Sequence, residues 1–410
     1  MRKETVILKI VFILAIMLGA ASMYVQHGPQ KTRHSVIAPF SESLSIFNLF
    51  KLEKAPQKTI YGYLPYWKLE TAAGLQLDKL TDVAYFGLNI DRNGDFSQVG
   101  YDGYQDPGYR NWKNSKELDK LIKDAKKHDV SVALTVISHN DEISDTFLDC
   151  RTCWDTLATN IEQELDFRKI KDVNLNFEYT TYTPKEKALQ YTAFVDFLNK
   201  KLDKKYGDSK VVVSSFADSI VKDRVTEIEG LSKVADAIFI MAYDFHRPTS
   251  DNAGPVAPIG GKGVYAEYDI ETMLADYIQI SNPQKLILGV PYYGYNWVVT
   301  APEQYAARIE GNDVLGYSQS QTYANVMDTI AEVKPEVLWD SLAKTPYFTY
   351  ISPETGATRA VYFENTESLK EKYALAKAKN LMGVGIWALG YDGEHDELWD
   401  LLVSEFMGKM

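Results

Sequence analysis

The chain has 410 residues, 45% of them hydrophobic and 12% aromatic, with a formal net charge of −12. That length allows one large domain or two smaller ones, and the acidic balance argues against nucleic acid as a partner, since phosphate binding wants a basic face. The 27 Tyr, 17 Phe and 7 Trp suit an aromatic core or a cleft that stacks on flat apolar faces such as sugar rings.

Arg2, Lys3 and Lys9 precede an apolar run from Ile10 to Val25, so residues 1–25 read as a signal anchor or a signal peptide. Gly19, Ala20, Ala21 and Ser22 offer a cleavage site, whereas Met23, Tyr24 and Val25 extend the apolar stretch as an anchor would. Either reading leaves the basic end inside and the rest extracytoplasmic, secreted or held to a membrane by its N-terminus. Residues 26–57, with Gly28-Pro29 and Pro56, read as a linker.

From residue 58 to 410, short apolar strands alternate with amphipathic helical stretches. The expected strands are Ile60–Tyr66, Asp82–Ile90, Val130–Ile137, Val173–Glu178, Val211–Ala217, Ala237–Asp244, Lys285–Tyr293 and Met382–Ala388. Expected helices include Ser115–His128, with a Ser cap, and Trp154–Arg168, Pro184–Tyr206, Lys222–Val234, Asp269–Ile280, Ser368–Lys379 and Asp396–Phe406. Continuous apolar strands between helices imply a parallel sheet covered on both sides. Eight such units predict an α/β fold, a (β/α)8 TIM barrel. An open doubly wound sheet would usually carry a Gly-rich phosphate turn after its first strand, and none is present. The connection after the seventh strand is far too long for a loop, so residues 298–362 read as a small α+β insertion. Cys150 and Cys153 are the two cysteines. With no second pair for zinc and an extracytoplasmic setting, a local disulfide is expected.

The stretch Val173-Asn174-Leu175-Asn176-Phe177-Glu178 has period two. Val173, Leu175 and Phe177 point one way; Asn174, Asn176 and Glu178 point the other. Two amides and a carboxyl on one face of a barrel strand need partners or a function, because an unpaired buried polar group costs a few kcal/mol, roughly. Catalytic groups of such barrels sit at the C-terminal strand ends. Glu178 ends the fourth strand, Tyr243 and Asp244 the sixth, Tyr292, Tyr293 and Tyr295 the seventh, Trp387 the eighth, and Tyr63, Tyr66 and Trp67 the first. A carboxylic acid, a second carboxylate, phenols and a Trp at one mouth are equipment for glycoside cleavage. His246 beside Asp244 suggests no metal site, since the six His form no close pair. No cofactor is called for, and no Gly-x-Ser-x-Gly elbow appears.

The chain resembles glycoside hydrolase family 18, the chitinase-like barrels, over about residues 58–410. The resemblance rests on Val173-Asn174-Leu175-Asn176-Phe177-Glu178, Met241-Ala242-Tyr243-Asp244, Gly289-Val290-Pro291-Tyr292-Tyr293-Gly294-Tyr295 and Gly383-Val384-Gly385-Ile386-Trp387. Ala253-Gly254-Pro255-Val256-Ala257-Pro258 is most similar to the bacterial branch associated with spore and cell-wall glycans. The resemblance implies catalytic roles for Glu178, Asn176, Tyr243 and Asp244. It implies substrate contacts for Tyr63, Trp67, Asn174, Met241, Tyr293 and Trp387, and no metal. The implied partner is an N-acetylglucosamine-containing polysaccharide, met by a monomer.

The family's fourth strand reads Asp-Gly-x-Asp-x-Asp-x-Glu. Here Glu178 keeps the acid, while the inward Asp positions are Asn174 and Asn176 and the opening is Lys171-Asp172. In the family the substrate's own 2-acetamido oxygen attacks the anomeric carbon, and the Asp nearest the acid orients it and stabilises the cation. An Asn carbonyl can accept the acetamide N–H, but it offers no negative charge. The family 85 endo-N-acetylglucosaminidases resemble this arrangement, with an Asn two residues before the Glu. The expected function is therefore retaining, substrate-assisted hydrolysis of β-1,4-linked N-acetylglucosamine glycans: chitin-like chains, peptidoglycan or N-glycan cores. The alternative is a carbohydrate-binding protein, weak or inactive in catalysis.

Overall fold

The computed structural model describes residues 58–100, 103–179 and 181–407. The expected N-terminal segment and linker lie outside these residues. Among the described residues, no helix is long and apolar enough to cross a membrane.

Eight strands close into a barrel. They are β1 (Thr59–Pro65), β2 (Asp82–Asn89), β3 (Ser131–Ser138), β4 (Asp172–Phe177), β5 (Val211–Phe216), β6 (Ala237–Met241), β7 (Leu286–Pro291) and β13 (Gly383–Trp387). Their order is β1-β13-β7-β6-β5-β4-β3-β2, every neighbouring pair parallel. This is the (β/α)8 barrel that eight alternating units imply. Helices cover the outside, and several start where the sequence places them, although the helix expected from Lys222 begins only at Ile228, capped by Glu227. Ser115 accepts from the Leu118 amide ahead of Lys116–Lys127, and Asp269 accepts from the Thr272 amide ahead of Ile270–Ile280. Two helices escape the sequence reading, Pro107–Asn114 and Asp141–Asp149.

Alternation along each strand separates two apolar layers. On β4, Val173, Leu175 and Phe177 join the large layer between sheet and helices. Inside the barrel lie Tyr61, Tyr63, Phe86, Val212, Phe239 and Ile287. Gly385 matters here. A Cβ on it would come within 2.1 Å of the Phe239 ring, so only glycine lets that ring fill the barrel.

After β7 the chain leaves the barrel. Five strands, β8 (Tyr293–Val298), β9 (Gln319–Thr322), β10 (Leu338–Asp340), β11 (Thr345–Ile351) and β12 (Thr358–Tyr362), form a second, antiparallel sheet ordered β10-β11-β12-β8-β9. The sequence reading runs one strand through Lys285–Tyr293 and begins the insertion at 298. The strand in fact ends at Pro291, and Tyr292 is the hinge residue between two sheets. Beside this sheet, Lys372 Nζ sits 2.7 Å from Glu364 Oε2 with both side chains excluded from solvent. Cys150 and Cys153 are joined by a disulfide at the start of helix Arg151–Arg168.

Candidate active site

The C-terminal strand ends surround a cavity of about 400 Å³. Glu178, Asn176, Tyr243 and Asp244 all line it, with Tyr63, Trp67, Met241, Tyr293 and Trp387.

Glu178 follows β4 directly, and its backbone N–H donates to the Ser138 carbonyl at 2.9 Å, which locks the ends of β3 and β4 together. Asn176 Nδ2 donates to Glu178 Oε1 at 3.1 Å. The Asn176 carbonyl oxygen lies 2.5 Å from His139 Nε2. That imidazole nitrogen is also 3.4 Å from Glu178 Oε1. The carboxyl keeps a quarter of its side-chain surface exposed, so it faces solvent or a ligand rather than the core. The amide expected to orient an acetamide is thus already held on both sides by protein.

Asp244 takes a left-handed backbone (φ 63), an uncommon conformation for a non-glycine residue that Asp tolerates better than most. Its Oδ1 accepts from the hydroxyls of Tyr293 and Tyr295, the latter at 2.6 Å, while Arg247 Nε stands 3.6 Å from Oδ2. Burial, then the nearby Asp244 carboxylate, pushes the Tyr293 phenol well above its ordinary range. Burial does the same for Tyr243, reinforced by Tyr63, Asp244 and Glu178. Tyr243 therefore stays a protonated donor at any physiological pH.

The floor is aromatic. Trp387 meets Phe86 edge-on at 4.8 Å and Tyr63 at 5.5 Å, and Trp67 stands 6.5 Å away. Asn174 does not reach the cavity. It is fully buried beneath it, donating to the Val212 carbonyl and to Ser214 Oγ, which in turn bonds the Tyr63 hydroxyl at 2.9 Å. The expected substrate contact at Asn174 is thus corrected to a support under Tyr63. His246 points away too: it is buried, its Nδ1 lies 2.9 Å from the Pro255 carbonyl, and its ring packs on Tyr305.

Tyr295, expected at the end of the seventh strand, lines the cavity, and so do Phe86, His139, Ser214, Phe216, Arg247, Ser320 and Tyr391, which the sequence reading does not single out. His139 directly follows β3, where applying the strand-end rule to every strand would have found it; Phe86 sits within β2, three residues short of its end, and carries no such signal. A second hollow, reaching Asp218, Arg224, Lys262 and Tyr268, shares Phe216, Met241, Tyr243, Asp244 and Arg247 with the first, so the cleft continues along the β5–β6 side.

The model of "Glycosyl hydrolases family 18" matches residues 59–392. Di-N-acetylchitobiase from Homo sapiens is 25% identical over 273 residues, covering 61% of this chain and 69% of that protein. The cortical fragment-lytic enzyme of Bacillus subtilis (strain 168) is 24% identical over 276 residues, covering 65% of this chain and 57% of that protein. Among solved structures, the Ostrinia furnacalis Group IV chitinase superposes with a TM-score of 0.72 at 17% identity, over 85% of this chain and 100% of that one. The Bacillus megaterium QM B1551 spore cortex-lytic enzyme SleL gives 0.68 at 20% identity, over 86% and 75%. At such identities the superpositions speak for the fold.

Proposed function

The chain belongs to the glycosyl hydrolases family 18, and from that premise we propose that it hydrolyses β-1,4-linked N-acetylglucosamine glycans with retention, using the substrate's own acetamide as nucleophile. Glu178 protonates the glycosidic oxygen as the C–O bond breaks and the acetamide oxygen closes on the anomeric carbon. It then takes a proton from the water that opens the oxazolinium ring. Tyr243, held protonated, donates to the acetamide oxygen. Asp244, gripped by two phenols, supplies negative charge near the developing cation. Trp387 carries the sugar ring.

One observation supports this reading above the rest: Glu178, Asn176 and Tyr243 line a single cavity whose floor includes Trp387. Retention of the acid, part-exposed at the wall, supports turnover over binding alone. The disulfide fits an extracytoplasmic location, and protease accessibility on intact cells would test that. The substrate is identified by mass analysis of products from chitin oligomers, peptidoglycan and a high-mannose glycopeptide incubated in parallel with the full chain. Release of N-acetylglucosamine-terminated fragments from one of them is expected. Intact substrate in all three contradicts the reading.

A further inference from the structure

We propose that His139 is a positioning residue that fixes, through Asn176, which oxygen of the Glu178 carboxyl carries the acid proton. The inference rests on the glycosidase reading for its kinetic test but not for its spectroscopic one.

An asparagine next to an acid has a weakness that an aspartate lacks. Its amide can rotate by half a turn at almost no steric cost, and the two faces are opposite in kind, an N–H₂ donor and a carbonyl acceptor. With Nδ2 toward Glu178, Oε1 must be an acceptor, so any proton on the carboxyl sits on Oε2. With the amide reversed, a protonated Glu178 would donate to Asn176 Oδ1 and bury its proton against the amide. The same hydrogen bond would favour the neutral acid and hold the proton back. Nothing within Asn176 chooses between these states.

His139 chooses. Its Nε2 lies 2.5 Å from Asn176 Oδ1, and Asn176 Nδ2 lies 3.1 Å from Glu178 Oε1. With the proton on Nε2 the chain runs in one direction, imidazole N–H to amide carbonyl, then amide N–H to carboxyl oxygen. Reversing the amide would set two N–H groups face to face. The backbone makes the contact rigid. His139 stands between the end of β3 and Asn140, whose side chain caps the next helix by accepting from the Ile143 amide, and Glu178 is tied to Ser138. Phe86 leans on the imidazole at 6.2 Å. The titratable and charged groups that share the cavity with the ring are Glu178, 3.4 Å away, Asp244, Arg247 and the phenols of Tyr63, Tyr243, Tyr293, Tyr295 and Tyr391, and Asp106 lines the small cleft on its other side.

The test compares the full chain with His139→Ala, which removes the donor, and His139→Gln, which keeps an N–H. On a chromogenic N-acetylglucosamine oligomer, His139→Ala should lower kcat about 10-fold or more, a part of the roughly 10²–10⁴ that general acid catalysis contributes, with KM within about threefold. The alkaline limb of its kcat/KM profile should move upward, because the reversed amide stabilises the neutral acid. His139→Gln should recover much of both. Equal losses in the two variants with an unmoved profile would reduce His139 to a structural role and overturn the proposal. Imidazole ¹⁵N spectra judge it without turnover. His139 should be the Nε2–H tautomer in the parent and lose that bias in Asn176→Ala. An Nδ1–H tautomer in the parent overturns the proposal even if the enzyme is active. Absence of turnover on every glycan would instead count against the function and leave the tautomer result to stand alone.

Discussion

Exchanging the amide at position 176 for a carboxylate is the perturbation whose size the structure fixes best. Asn176 Nδ2 is 3.1 Å from Glu178 Oε1, so Asn176→Asp would set a second carboxylate against the first. Two unit charges about 4 Å apart repel by about 4 kcal/mol at an effective dielectric constant near 20. Water reaches the quarter-exposed Glu178 and the more open imidazole beside it. We therefore discount that figure to about 1.5 kcal/mol, which is about one pH unit. The limb of the kcat/KM profile that reports loss of the acid's proton should move up by about that much in Asn176→Asp. The assay is steady-state hydrolysis of a chromogenic N-acetylglucosamine oligomer from about pH 4 to 9, a span that brackets carboxyl and imidazole titration. Coincident profiles for parent and Asn176→Asp would refute the reasoning, because no arrangement with these two side chains in contact leaves a new neighbouring charge unfelt.

Glu178→Gln should abolish turnover while oligosaccharide binding persists, read from the fluorescence of Trp67 and Trp387; surviving activity would remove Glu178 from its role. Lys372→Met leaves Glu364 buried without its partner and should cost about 3–5 kcal/mol in denaturant unfolding, while Lys372→Met with Glu364→Leu should recover most of it. Burial already pushes the Glu364 carboxyl upward. In Lys372→Met its folded state favours the neutral acid, so stability should be highest at low pH and fall as pH rises from the unfolded carboxyl's value to the raised one. Gly254→Ala would place a Cβ 2.6 Å from the His246 ring and should destabilise by about 1–3 kcal/mol without changing KM; a neutral effect would mean that the ring is free to move.

The barrel was legible because its signal is local. Each strand is a short apolar run and each crossover a periodic helix, so eight units could be counted without knowing one long-range contact. The fourth strand was legible for the same reason, Asn174, Asn176 and Glu178 sharing a face. What alternation does not give is depth. Two residues along a strand is about 6.6 Å, enough to set Asn176 in the cavity and Asn174 under it. The turn at Tyr292 was invisible because Pro291, Tyr292 and Tyr293 stay buried on both sides of the change of sheet, and only the partner strands differ. The Gly254 in the motif that carried the resemblance has a packing reason, the His246 ring against its Cα, which requires the fold to see. His139 directly follows β3 and lay within reach of the strand-end rule, but its contact with Asn176 did not, because the two are 37 residues apart on neighbouring strands and neither position marks the other.

The configuration of the first product tests the account most directly. Proton NMR during the opening minutes of N-acetylglucosamine oligomer hydrolysis by the full chain should show the β-anomer of the new reducing end first, with no such signal from Glu178→Gln. An α-anomer appearing first would mean that water, not the substrate's acetamide, attacks the anomeric carbon, and the roles given to the residues around position 178 would fall with it.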